Sequence, residues 1–415
     1  MNNVRQCCLC GGKDLVSLFK LDSLPISHYL RKKLDDPDPR FSVGFECCKG
    51  CGLLQIVDAI PADLIYSQAD TYTTGFQRPR HLEDLITTAV ARRDPSSAID
   101  VGCNDGALME ALGRAGYAKV VGLEPNAIAA EIARKKGHKV YTSYLDKKSA
   151  AEIVAECGRF DALYLRHVVE HVSNLEQFFA AVRTLINPGG LLVLELPDVE
   201  EGFALGSPAI LWEEHVNYFT QALAEYMLGR FGFRVLDRRK YVFGGGSFAF
   251  VAQMEAAPAP SAAARPDPAP MLELLQGFVA RMRRQKEELS SLVTQARSAG
   301  YRVVMYGAAP RSCLMVSVCQ IADMIDFVVD DRQDIQDRLM PGTQHFVRPL
   351  DKVAGTAGDK LLCLLGVGSE NEFKVRAKLE AAIQAKFAYV SLFPPRNTLE
   401  SVDGARRAIA NHKRG

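Results

Sequence analysis

The chain has 415 residues, 50 Lys plus Arg against 49 Asp plus Glu for a formal charge of +1, and 48% hydrophobic residues. At about 150 residues per domain this length predicts two to three domains with ample core. The balanced charge excludes a general nucleic-acid binder, because phosphate binding is driven by basic charge. No apolar run reaches the roughly 18 residues of a transmembrane helix. The opening MNNVRQCCLCGGKD has no apolar core of the secretory kind, so a cytoplasmic protein with no membrane or nucleic-acid partner is expected.

Six of the eleven cysteines lie in the first 51 residues: Cys7, Cys8, Cys10, Cys47, Cys48 and Cys51. Cys7-x-x-Cys10 and Cys48-x-x-Cys51 are each followed by glycine, Gly11 and Gly52. Two thiolates three apart on a tight turn can take adjacent corners of a zinc tetrahedron, and the glycine lets backbone amides turn toward the sulfurs. Two such knuckles about 40 residues apart complete a closed, structural Zn2+ site of the ribbon type. Cys8 and Cys47 are out of register and are expected to be bystanders. The alternative for all six is redox-active or merely buried thiols.

From Ser96 onward strands and helices alternate. Strands are predicted at Ala98–Val101, Val120–Glu124, Lys139–Tyr141, Ala162–Leu165 and Leu191–Leu196, with helices at Ala107–Gly116, Asn126–Lys136 and Leu175–Ile186. A loop at Gly102–Gly106 and a turn at Pro188-Gly189-Gly190 separate some of them. This alternation predicts a mostly parallel sheet covered on both faces, an α/β fold. The loop Asp100-Val101-Gly102-Cys103-Asn104-Asp105-Gly106 is not G-x-G-x-x-G, and its aspartates would repel a pyrophosphate. An acidic loop suits a ligand with an ammonium and a sulfonium, S-adenosylmethionine (SAM). Asp100 would face the methionyl ammonium, and Gly102 and Gly106 would allow close backbone approach. Glu124, ending the next strand, would hold the ribose. Asn104, Pro125 and His167 complete the predicted cofactor-binding set.

Three of the eight histidines fall between 167 and 215. His167-Val168-Val169-Glu170-His171 follows the fourth strand, where parallel sheets place their ligand crevice. Trp212-Glu213-Glu214-His215 follows the fifth strand and a loop and can fold over the same crevice. Residues 256–270, AAPAPSAAARPDPAP, hold seven Ala and five Pro, which predicts an extended linker. After it, Leu275, Phe278, Val279, Met282 and Leu289 show helical spacing within Met271–Ser298. A second βαβ opening follows: strand Arg302–Tyr306, loop Gly307-Ala308-Ala309-Pro310, a helix through Leu314 and Val318, and strand Phe327–Val329 ending at Asp330-Asp331.

Taken in order, these pieces resemble the SAM-dependent C-methyltransferases that act on nucleotide-linked ketosugars. The resemblance runs through both knuckles with Gly52-Leu53-Leu54-Gln55, the tyrosine-containing stretch ending at His81, the G-x-N-D-G loop and Glu124-Pro125. It continues with Val168-Val169-Glu170-His171, Glu195-Leu196-Pro197, Glu214-His215-Val216 with Tyr218-Phe219, and Gly245-Gly246-Ser247. Beyond the linker, Tyr306-Gly307-Ala308, Val329-Asp330 and Pro341-Gly342-Thr343 resemble that family's C-terminal domain. Three positions depart from its pattern: Trp212-Glu213 stands for Tyr-His, Tyr72-Thr73-Thr74 for Tyr-x-Ser-Ser, and Arg311 for a lysine.

The resemblance implies a class I methyltransferase sheet at 71–255, a zinc-binding domain at 1–70 and a second Rossmann-like, substrate-binding domain at 271–415. It implies methylation at a carbon beside the ketone of a nucleotide-linked 4-keto deoxysugar. A base removes the α-proton and the enolate attacks the SAM methyl; histidine suits that task near pH 7. His215 is the expected base, Glu214 its orienting partner, and His171 and Tyr72 the expected donors to the oxyanion. An oxygen- or nitrogen-directed methyltransferase and a non-catalytic zinc/SAM-binding module are the alternatives. A monomer and a homodimer are equally compatible with the sequence.

Overall fold

The computed structural model describes residues 5–61, 64–65, 81–92, 96–256, 264–352, 360–382, 386–393 and 396–412. Tyr72 and residues 257–263 of the expected linker lie outside the described residues.

Around the knuckles, β1 (Leu15–Pro25), β2 (Arg40–Cys48) and β3 (Leu54–Val57) form an antiparallel meander. Its inner face, with Val43, Phe45, Leu54 and Ile56, is buried. After α1 (His81–Arg92) comes the large sheet. It is entered by β4 (Ser97–Val101), α2 (Ala107–Arg114), β5 (Lys119–Leu123), α3 (Ala127–Lys135) and β6 (Lys139–Tyr141). A helix that the sequence reading omitted follows, α4 (Lys147–Cys157). Its start is signalled by Asp146 and Ser149, whose side chains and backbones cap one another reciprocally. Then come β7 (Phe160–Arg166), α5 (Leu175–Leu185) and β8 (Ile186–Pro197).

The strand β8 starts five residues earlier than expected. The predicted turn at Pro188-Gly189-Gly190 is absorbed into it as an irregularity, with a register shift against Phe160 and Ala162 of β7. Gly189 at φ 72 supplies the kink.

The chain then runs through α6 (Val199–Leu205), β9 (Asn217–Tyr218), α7 (Gln221–Arg230), β10 (Phe233–Tyr241) and β11 (Ser247–Met254). The large sheet has the order β10-β11-β8-β7-β4-β5-β6. Five strands are parallel, as expected, but the last two pair antiparallel at one edge. β9 does not join this sheet; it pairs with β3 and completes the N-terminal one.

One helix ties the sheets together. In α8 (Ala269–Ser298) the buried residues Met271, Leu275, Phe278, Met282, Leu289, Leu292, Val293 and Ala296 keep a helical spacing. The first half packs with Phe45 and Phe203, the second with Val303 and Val316. Val279, expected on this face, is only half-buried. The helix also takes in Ala269 and Pro270, the end of the expected linker. Beyond it, β12 (Arg302–Tyr306), α9 (Pro310–Cys319), β13 (Phe327–Val329), β14 (Val347–Arg348), β15 (Lys360–Leu365), α10 (Ser369–Ala382), β16 (Lys386–Ser391) and α11 (Thr398–His412) follow. They build a second, wholly parallel sheet of order β14-β13-β12-β15-β16. No helix among the described residues is long and apolar enough to cross a membrane.

Two glycines end helices at positive φ but face different surroundings. A Cβ on Gly206 (φ 73) would lie 2.4 Å from the Cβ of Arg281 on α8, whereas one on Gly300 (φ 81) meets nothing within 4 Å. Gly300→Ala is expected to cost about 1 kcal/mol of left-handed backbone strain, and Gly206→Ala about 1–3 kcal/mol more through overpacking against α8. Denaturant unfolding of the two variants should rank them in that order.

Candidate active site and thiolate cluster

A cavity of about 1420 Å³ runs from the carboxyl ends of β4, β5 and β7 to those of β12, β13 and β15. Asp100, Gly102, Asn104, Glu124, Pro125 and His167 line it, as do His171, Glu214 and His215. Gly106 does not. Its absent side chain leaves room for Ala133 and His138 instead, which a Cβ would approach to 3.1 and 2.9 Å. Gly106 thus lets the start of α2 pack closely against its neighbour.

At the cofactor end, Gly102 (φ 77), Asn104 (φ 49) and Gly106 (φ 82) all hold left-handed backbone. Glu124 fixes this loop. Its Oε2 accepts from the Asn104 amide and its Oε1 from the Asn126 amide, each at 2.8 Å. Each oxygen retains a further lone pair for a ligand hydroxyl. Asp100 is 3% exposed, and burial pushes its carboxyl up to about 7, against the pull of Arg166 and with the push of Glu124.

At the next step along the cavity, His171 ends the single 3-10 turn after β7, and His215 sits in the loop before β9. Their rings meet edge to face with centroids 4.9 Å apart. His171 Nδ1 donates to the Glu214 carbonyl at 3.1 Å, which places one proton on Nδ1. His215 lies flat on Trp212, 5.1 Å away at 7°. Burial, reinforced by His171, lowers His215 to about 3, so its imidazole is neutral across the ordinary pH range. The two adjacent carboxyls diverge. Burial and the Glu214 charge raise Glu213. Glu214 is lowered: burial would raise it, but His28, His171 and His215 outweigh that.

Beside them, His167 (φ 53) lies with Nδ1 3.4 Å from Glu170 and Nε2 3.6 Å from Glu195. Burial disfavours its cation, yet the two carboxylates prevail and lift it to about 9. Its ring thus belongs to a carboxylate network along the cavity wall. Glu195 also accepts from His81 Nε2 at 2.8 Å, Arg166 Nε at 2.6 Å and Ser247 Oγ at 2.7 Å.

At the far end, Asp330 closes β13 and accepts from the Ala308 and Arg332 amides at 2.8 and 2.9 Å. Arg311 lies over the Phe393 ring and donates to the Gly244 carbonyl at 2.9 Å. His28, Arg166, Arg311, Asp330 and Arg332 line the cavity without having been singled out from the sequence as cavity residues. Asp330 had a signal as the acidic residue ending a strand, and Arg311 as the position where the resembled family has a lysine; the other three carry none in one sequence.

The four knuckle cysteines converge, with all sulfurs within 4.8 Å of one another. Cys7 Sγ is 3.6 Å from Cys51 Sγ, and Cys10 Sγ 3.5 Å from Cys48 Sγ. Four sulfurs at the usual zinc–sulfur length span tetrahedron edges of about 3.8 Å, so the donor set fits a tetrahedral metal. Backbone amides of Cys10 and Gly50 turn toward the sulfurs of Cys7 and Cys48 at 3.5 and 3.3 Å. Gly11 (φ 72) and Gly52 (φ 83) make both turns left-handed. Cys8 and Cys47 stay outside the group.

Comparison with known proteins divides the chain in two: residues 75–238 match the family model of a methyltransferase domain, and residues 244–390 that of a C-methyltransferase C-terminal domain. C-methyltransferase NovU of Streptomyces niveus is 25% identical over 382 residues, 87% of this chain and 89% of that protein. The mitochondrial ubiquinone biosynthesis O-methyltransferase of Mus musculus is 40% identical over 118 residues, 26% of this chain and 30% of that protein. Among solved structures, a SAM-dependent methyltransferase from Archaeoglobus fulgidus covers 41% of this chain at 16% identity and a TM-score of 0.32, with 94% of that chain matched. Magnesium protoporphyrin IX methyltransferase from Synechocystis, solved with bound SAM, covers 42% at 18% identity and a TM-score of 0.31, with 78% of that chain matched. The chain thus joins a methyltransferase domain, residues 75–238, to a C-methyltransferase C-terminal domain, residues 244–390.

Proposed function

We propose that the protein transfers the methyl group of SAM to a carbon beside the ketone of a nucleotide-linked 4-keto deoxysugar. The observation that carries this reading is a buried, neutral imidazole, His215, set beside a second imidazole in a cavity that continues from the acidic cofactor loop to the second α/β sheet. Carbon alkylation needs a base for the α-proton and a donor for the enolate oxygen, and two histidines in contact provide both.

In this reading Asp100 faces the methionyl ammonium and Glu124 the ribose diol, with Gly102, Asn104 and Pro125 forming the floor. SAM supplies an electrophilic methyl on a cationic sulfur. His215 takes the α-proton, and the resulting enolate carbon forms a bond to the methyl as the methyl–sulfur bond breaks. The sulfur leaves neutral, and the imidazolium returns its proton to solvent. His171, whose Nδ1 proton is held by the Glu214 carbonyl, stabilises the oxyanion through Nε2 when it carries both ring protons. Tyr72 is retained as a second donor on sequence grounds alone. The four-thiolate cluster holds one structural zinc.

Three outcomes are expected. Full-length protein prepared without chelator should contain one zinc per chain by elemental analysis, and Cys48→Ser should lose that metal and loosen the N-terminal sheet; metal-free native protein would refute the site. SAM affinity should rise with pH and level off above about 7, because a cation binds the ionised Asp100. Between pH 6 and pH 8 the gain should be about tenfold for a carboxyl titrating near 7. Calorimetry should show it in the native protein and not in Asp100→Asn. His215→Ala should lower methyl transfer on the order of 10²–10⁴-fold while SAM still binds. Mass spectrometry over a panel of nucleotide ketosugars reads this directly. A variant that still exchanges the α-proton in heavy water at the native rate would take the base role away from His215. If neither histidine affects exchange or methylation, an oxygen- or nitrogen-directed reaction becomes the better account.

A further inference from the structure

One side of the candidate active site is built by the N-terminal part of the chain. The segment between β1 and β2 is clamped on both sides of a single histidine. The Ser27 amide donates to Glu213 Oε1 at 2.6 Å, and the Ser27 carbonyl accepts a long contact from Cys313 Sγ on α9 at 3.8 Å. Arg31, 3% exposed, donates through Nη2 to the Thr343 carbonyl at 2.7 Å, and the Arg31 carbonyl accepts from the Leu339 amide at 2.8 Å. Between these anchors His28 projects into the cavity, its Nε2 3.1 Å from Glu214 Oε1 and its ring tilted toward Trp212. The Glu214 side chain is 2% exposed and that of His28 17%. The other Glu214 oxygen lies 4.0 Å from His171 Nδ1, which is held by the carbonyl of the same residue.

We propose that His28 is a positioning residue for the proton-transfer step: by donating from Nε2 to Glu214 Oε1 it holds that carboxylate in place, so that the residue's carbonyl keeps the Nδ1 proton of His171 and the His171–His215 pair keeps its edge-to-face geometry. The physical reason is the strength of a charge-assisted hydrogen bond between an imidazole and a carboxylate that is almost wholly out of water. Deprived of His28, Glu214 satisfies itself by turning toward His171. Its carboxylate then competes with its own carbonyl for the Nδ1 proton and moves the imidazole that the base leans on.

The proposal rests on the reading of His215 as the base, and the test separates the two. Full-length native protein is compared with His28→Leu, which removes the donor, and His28→Gln, whose side-chain amide reaches about as far as imidazole Nε2. With the nucleotide ketosugar that the native protein methylates, His28→Leu should slow α-proton exchange and kcat by about 10–100-fold, the range for supporting partners of a reactive group. KM and SAM affinity should stay within about twofold, and His28→Gln should recover to within about threefold of native. Exchange at the native rate in His28→Leu would overturn the proposal, and so would a Gln variant as slow as the Leu variant, since packing alone would then explain both. His215→Ala runs in the same assay: native exchange there defeats the base reading. In that event the ring carbon resonances of 13C-labelled histidine decide on His28 independently of any substrate. The His171 signal should shift in His28→Leu and not in His28→Gln, and a His171 signal unmoved in both overturns the positioning role.

Discussion

A carboxylate taken out of water must be surrounded by donors, or the fold around it fails, and Glu195 is such a group. It has no exposure and is held well below the usual carboxylate range: burial opposes ionisation, and Arg166, His167 and His81 overcome it. Its partners come from the end of β7, the turn after it, the start of α1 and the start of β11. Those are the places where the cavity wall is made. The edge strands, the glycine hairpin between them and the helix before β4 are thus tied to one side chain at the carboxyl end of β8. His81 further stacks on Tyr241 at 4.4 Å and approaches Phe243 at 5.2 Å, which extends the anchorage into the hairpin.

The same logic divides labour among the acidic groups. Glu213 and Glu214 are neighbours in sequence and both buried, yet their surroundings push them apart. Glu213 meets a backbone amide and another carboxylate. Glu214 meets three imidazoles. Adjacent like charges in a dry site oppose one another, so the surroundings favour the ionised form at Glu214 and disfavour it at Glu213. The arrangement leaves a fixed negative charge beside the histidines, and it leaves His215 neutral against the flat face of Trp212. Trp212 thereby gives the His215 ring a flat stacking surface.

Much of this was legible before any coordinates. The knuckle spacing brought four sulfurs together, and the acidic loop, Glu124 and both histidine segments meet in one cavity because strand ends in parallel sheets share a crevice. Period alone located α8 and the opening of the second sheet. What escaped the sequence has identifiable causes. The edge strands β10 and β11 are joined by a hairpin with no helix between them, so alternation gave no cue to their pairing. α4 was announced only by the Asp146–Ser149 cap. The turn signal at Pro188-Gly189-Gly190 was overridden by pairing with β7. His28 and Arg311 reach the cavity through contacts between segments far apart in the chain, and a single sequence does not display those.

The pairing of β9 with β3 carries a further implication for how such a protein could have been assembled and can be re-engineered. The N-terminal sheet beside the four-cysteine cluster is sealed by Asn217 and Tyr218, two residues encoded more than 150 positions downstream. Cut at any point before them, the module would expose β3 as a free edge, an invitation to intermolecular strand pairing. Lineages that exchange their amino-terminal segment must therefore exchange the matching strand with it, and a chimera that swaps the N-terminal sheet as a cassette inherits an aggregation liability in place of a new specificity.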